Sequence, residues 1–136
     1  MFLIRKKCML QSGKQLGQWI FTIVISLVWL INGLYCKILG MVPRHEQIVA
    51  SILGATHAHT FTICIGIAEV ITAIWVLSRR WLKLCTYSQM MVVAVMNILE
   101  ALLVPQLLLY GYGNLFFAVI FILIVWAHQQ WISVKI

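Results

Sequence analysis

Four long apolar runs, broken only by an occasional polar residue, constrain this chain more than anything else in it. They are Leu16–Cys36, Ala58–Leu77, Leu84–Val104 and Tyr112–Trp131. At a rise of about 1.5 Å per residue, a helix of about 20 residues crosses the roughly 30 Å hydrocarbon core of a bilayer. Lipid offers no partner to a backbone N–H or C=O, so each run is expected as a membrane-spanning α-helix. Composition agrees: 63% of residues are hydrophobic and 10% charged, whereas soluble domains are closer to about half and about a quarter. The spans and their connections consume nearly all 136 residues. That leaves no room for a nucleotide-binding or flavin-binding domain and excludes a self-sufficient dehydrogenase or ATPase.

The formal charge of +7 invites a nucleic-acid reading, but its distribution argues for membrane topology. Arg5, Lys6, Lys7 and Lys14 precede the first run, and Arg79, Arg80 and Lys83 separate the second from the third. Only Lys37 and Arg44 carry positive charge between runs one and two. The positive-inside bias therefore predicts cytoplasmic N- and C-termini, most simply in a bacterial inner membrane. Trp19, Tyr35, Trp81, Tyr87, Tyr110, Tyr112 and Trp131 fall near run ends, where aromatic belts form. The first run is too long for a signal-peptide core and lacks a small-x-small cleavage site, so it is read as a retained helix.

The segment Lys37–His57 then faces outward. Pro43 suits the first position of a helix, and Val49, Ile52 and Leu53 recur at helical spacing. A short amphipathic helix over Pro43–Leu53 is expected on the outer membrane surface. Gly111-Tyr112-Gly113-Asn114 signals a turn before the fourth run. The expected fold is all-α: one membrane domain over 1–136, a four-helix bundle with this short outer helix.

Polar residues inside the runs mark candidate sites. Glu69 lies near the middle of the second run, where an ionised acid costs about 2.5–3.5 kcal/mol on insertion scales. It needs a partner or a proton. His59, Thr62, Gly66, Glu69 and Ala73 form a small, polar face that predicts a packing seam. Asn97 and Glu100 share a face of the third run with Val93 and Val104. Trp29, Asn32, Gly33 and Cys36 overlap on the first, and Lys37 can snorkel inward toward Glu69 or Glu100. Asn114, Ala118, Phe121, Val125 and His128 form a stripe on the fourth. Glu69, Glu100, Lys37, Asn97, Asn32 and His59 are accordingly the candidates for a polar pocket or proton relay, with Lys37 and Glu69 as its central polar pair and Glu100, Asn97 and Asn32 expected to orient a ligand.

Two readings stand beside each other. One is a cavity for an amphipathic small molecule, a quinone or a lipid headgroup. The other is a membrane assembly factor or chaperone-like interaction protein, its polar seam a hydrogen-bond network that only holds the helices in register. Glu69→Gln is expected to abolish ligand retention with near-normal expression on the first reading. Charge reversal at Arg44 or Glu46 is expected to break a partner complex on the second. A proton-coupled transporter component is a third class, disfavoured by the missing inverted repeat. No metal site is expected: Cys8, Cys36, Cys64 and Cys85 contain no C-x-x-C pair, and His57 and His59 diverge on a helix. A Cys36–Cys64 disulfide is a minor reading. No nucleophile–base constellation is visible.

The order of these motifs resembles the DoxX-like family. Trp29-Leu30-Ile31-Asn32-Gly33-Leu34-Tyr35-Cys36-Lys37-Ile38-Leu39 is similar to that family's ending of helix one, and Gly66-Ile67-Ala68-Glu69 to its G-x-x-E on helix two. Val42-Pro43-Arg44-His45-Glu46-Gln47-Ile48-Val49-Ala50 and Met96-Asn97-Ile98-Leu99-Glu100 resemble a bacterial subgroup. The resemblance covers about Gly17 to Trp126 and implies a four-helix membrane fold. It links some members to thiosulfate:quinone oxidoreduction or membrane redox complexes, and distant ones to chaperone-like assembly. Gly33, Lys37, Gly66 and Glu69 match its pattern. The partners implied are the lipid bilayer and a membrane protein or second copy, not nucleic acid. Quinone is the one cofactor suggested.

Overall fold

The computed structural model describes residues 1–107 and 113–133. Its elements are α1 (Phe2–Leu30), continued without a break by a π-helical stretch (Ile31–Ile38), then α2 (Pro43–Leu53), α3 (Ala58–Ser78) and α4 (Leu82–Leu103). A 3₁₀ turn (Pro105–Leu107) and α5 (Gly113–Ser133) complete it. Four of these helices are long and apolar enough to cross a membrane: Phe2–Ile38, Ala58–Ser78, Leu82–Leu103 and Gly113–Ser133. Between 17% and 33% of each one's most apolar window is buried within the bundle. The remaining greasy surface points outward, which water does not tolerate and lipid does. The chain is an integral membrane helical bundle.

Boundaries differ from the sequence reading at one place. The first helix begins at Phe2 rather than near Leu16, because nothing among the leader's residues breaks a helix and Gly13 meets no steric obstacle. Its basic first turns are fully exposed. The turn expected at residues 111–114 falls mostly outside the described residues, as do Tyr110 and Tyr112.

The connections follow from local chemistry. Gly40, at φ +66°, ends the π-helical stretch, and Gly54, at φ +98°, closes α2 while donating its N–H to Ala50 O at 3.0 Å. Both conformations favour glycine. Pro43 opens α2 after the extended Val42, as expected. α2 buries Ile48 and Val49 by packing across one end of the bundle, against α3, the π-helical stretch and α4. It is a roof over the helices rather than a helix resting only on lipid.

Two tight pairings build the bundle: α1 with α3, and α4 with α5. Ile25, Trp29, Ala73, Val76, Cys85 and Val125 form the buried core between them. The closest approach is reciprocal. A Cβ on Gly33 would lie 2.5 Å from Gly66 O, and one on Gly66 would lie 2.7 Å from Gly33 O. These backbones touch because neither residue has a side chain.

Candidate functional site

The π-helical stretch determines where the site's cation goes. Its wider turn, with Leu39 N–H donating to Leu34 O at 2.9 Å, presents Gly33, Cys36 and Lys37 together toward the interior. Such wide turns recur at functional sites in otherwise regular helices. Lys37 does not snorkel from the bundle end; it is 4% exposed. Its Nζ donates to both carboxylate oxygens of Glu69 at 2.9 Å. Glu69 is itself buried on the small-residue face of α3. The fork fixes both side chains and answers the desolvation of each with the other. Lys37 makes no other hydrogen bond among the described residues, so Glu69→Gln would strand an ammonium. On that geometry this variant is expected to lose stability as well as any ligand.

Beside the pair lies a chamber of about 370 Å³ in the half of the bundle covered by α2. α1 and its continuation contribute Trp29, Asn32 and Lys37, and α3 contributes Glu69. α4 supplies Val93, Met96, Asn97 and Glu100, and α5 supplies Asn114, Ala118 and Phe121. The stripes read on four separate spans therefore converge on one space. Trp29 closes its floor, donating Nε1–H to Gln89 Oε1 at 2.8 Å and meeting Phe121 edge-on with centroids 6.1 Å apart.

His59 is not in the chamber. It is exposed, with Nδ1 3.3 Å from Glu46 Oε2, and Ala58 takes the buried place on that face. The buried stripe of α3 runs through Ala58, Thr62, Gly66, Glu69 and Ala73, and His59 lies about 100° round the helix from it. His57 lies outside the chamber too, edge-on to Phe61. Among the described residues no three His, Cys, Asp or Glu side chains are grouped to hold a metal ion. Cys36 and Cys64 are free thiols, one buried and one exposed, so the minor disulfide reading is set aside.

The sequence reading missed two chamber residues, Arg44 and His45, both on the roof. Arg44 turns inward, so it is not the outward docking charge the sequence suggested. Its Nε is buried without a hydrogen-bond partner. The Glu100 carboxyl, across the chamber, makes neither hydrogen bond nor ion pair among the described residues, and Asn97 uses its amide N–H only on Val93 O at 2.8 Å. His45 is pushed down to about 4 from its ordinary 6.5, by burial first and then by the charges of Lys37 and Arg44. It faces the site neutral. Ile48 stands four residues after Arg44 and three after His45, which puts both beside the buried side of α2, but that spacing does not say whether protein or lipid covers it.

A second polar cluster sits at the opposite end. Thr22 Oγ1 lies 2.7 Å from His128 Nε2 and accepts from Arg79 Nη2 at 3.0 Å. The Arg79 guanidinium lies 3.8 Å over the Trp19 ring. These contacts satisfy one another and enclose almost no space, so the cluster ties α1, α3 and α5 together.

A bundle of four membrane-crossing helices, roofed at one end and holding charged groups around an internal chamber, defines the class: a small multi-pass membrane protein with a polar interior site. The chain belongs to the DoxX-like family, whose model matches residues 26–126. No curated protein and no solved structure matches it.

Proposed function

We propose that this protein is a small membrane-embedded subunit or binding protein whose chamber holds the polar head of a quinone or lipid. One observation carries the reading. Lys37 and Glu69 answer each other, but the Arg44 Nε and the Glu100 carboxyl, which line the same chamber, are left without protein partners. Buried polar groups without partners are costly, so a site that keeps the Arg44 Nε buried and unpaired, with the Glu100 carboxyl open to the same space, is suited to a ligand that supplies partners. The complementary head offers an oxygen acceptor to Arg44 and a donor to Glu100. A quinol meets that pattern through its two hydroxyls, each able to donate or accept, and a phosphate-bearing headgroup meets it through its phosphate oxygens and an ammonium. If electrons move, a partner supplies them, and Glu100 is the nearest group free to exchange a proton with the head.

The assembly-factor reading has less support. Arg44 faces inward and Glu46 is engaged by His59, so the roof offers fewer free charges to a partner than the sequence suggested. The positive-inside bias supports placing the roof outside and the Arg79–Lys83 turn in the cytoplasm.

The test is native mass spectrometry of protein released in mild detergent, followed by extraction of what stays bound. A stoichiometric quinone or lipid, lost in Arg44→Gln and Glu100→Gln while both variants remain folded, supports the proposal. An empty chain, or retention unaffected by both substitutions, sinks it.

A further inference from the structure

The chamber has an apolar annex. A slot of about 150 Å³ runs beneath the roof, walled by Val49, Ile52 and Leu53 of α2, Ile65 of α3 and Leu99 of α4. Its inner end is made of Lys37, His45, Ile48, Met96 and Glu100, the same residues that wall the chamber on that side. The two spaces adjoin across these five residues. At the outer end Leu53 is 57% exposed and Leu99 41%, on the surface that lipid would cover. α3 and α4 touch only sparingly, so the roof helix, not a helix–helix seam, closes this side. A polar chamber next to an apolar slot that opens sideways matches the two halves of one kind of molecule.

We propose that the slot takes the hydrocarbon chain of the ligand whose head occupies the chamber. The ligand is then a head-and-tail amphiphile that enters sideways from the bilayer, beneath α2 and between α3 and α4. This rests on the chamber being a binding site. Its chemistry is shared by a chain-bearing quinone and a phospholipid. Hydrocarbon gains little by moving from lipid tails to leucine and isoleucine, which are equally apolar. The slot's role is to hold the chain where the head reaches Arg44 and Glu100, which lowers the ordering cost of binding. A water-soluble ligand has no use for it.

Two probe pairs test this in nanodiscs. One is a dimethoxy-methylbenzoquinone and the same ring with a decyl chain; the other is glycerophosphoethanolamine and dihexanoyl phosphatidylethanolamine. Leu99 lines the slot, is 41% exposed and is not part of the buried core, so Leu99→Trp is designed to fill the slot from its lipid-facing mouth. A steric clash of this kind is expected to weaken the chain-bearing member of the pair that binds by about ten-fold or more, with its head-only partner unchanged. Which pair binds distinguishes quinone from phospholipid. If chain-bearing and head-only members respond alike to Leu99→Trp, the slot proposal fails and the chamber reading survives. If no probe binds the unaltered protein, both fail. Should Leu99→Trp not fold, a diazirine near the head end of the chain answers in the unaltered protein. Crosslinks at Ile52, Ile65 or Leu99 that the head-only compound displaces support the slot; crosslinks spread over lipid-facing helix surfaces overturn it.

Discussion

Gly33 and Gly66 allow two backbones to meet and so set the depth at which Lys37 reaches Glu69. Adding one methyl at either position puts a Cβ within 2.5–2.7 Å of the opposing carbonyl oxygen, and backbone cannot give way as a flexible side chain can. Gly33→Ala and Gly66→Ala are each expected to cost about 1–3 kcal/mol, as overpacking does, read as a lower midpoint of thermal unfolding in detergent. The ion pair they position behaves differently. Removing one partner leaves a buried charge unanswered and is expected to cost about 3–5 kcal/mol, while replacing both by apolar residues of similar size is close to neutral. Measured as a cycle, Lys37→Met and Glu69→Leu should each destabilise the protein, and the double variant should recover most of the loss. An additive double variant would show that the two residues are not coupled. The Lys37–Glu69 pair was legible from sequence, since a lone charge is untenable in an apolar run; the π-helical turn that buries Lys37 against it was not.

At the scale of elements, α2 is the piece whose position decides access to the site. Its length and limits were legible from Pro43, Gly54 and the apolar spacing between them. Its docking was not, because amphipathic spacing says that a helix has an apolar side without saying whether lipid or protein covers it. His45 gives this docking a pH dependence. Undocked, it titrates near its ordinary 6.5; docked beside Lys37, Arg44, Glu69 and Glu100, it is pushed down to about 4. The undocked form therefore binds a proton that the docked form refuses, and docking, complete above the ordinary value, weakens as pH falls through that window. A spin label on Ser51→Cys, with Cys8 and Cys64 replaced, should become more mobile on acidification between about pH 6.5 and 4. In His45→Gln this response should flatten. Mobility that changes equally in both would assign the effect to another group.

For the whole molecule, the expected topology is open to a direct check. Cys8 is exposed in the basic leader, so an impermeant maleimide should leave it unlabelled in intact cells and label it once the membrane is opened. A cysteine placed at Ser51 should show the reverse. Labelling of Cys8 from outside would invert the orientation and put the roof in the cytoplasm. The first helix, Phe2–Ile38, spans roughly 55 Å at the ordinary helical rise, longer than the hydrocarbon core. Its basic leading turns thus lie beyond the bilayer's apolar layer, consistent with their charge.

The sequence by itself determined the solvent, the helices and the faces. Apolar run length sets a span, and the cost of a polar group in lipid forces such residues inward, so Asn32, Glu69, Asn97, Glu100 and Asn114 could be assigned to the interior before any helix was placed. What only the tertiary structure decided was how those faces meet. How deeply Lys37 is buried against Glu69, whether Arg44 looks into the chamber or away from it, and whether His59 belongs to the site depend on how each helix is rotated about its axis. Those rotations are set by contacts between residues distant in the chain, above all the Gly33–Gly66 approach and the docking of α2, and no local pattern of residues encodes them.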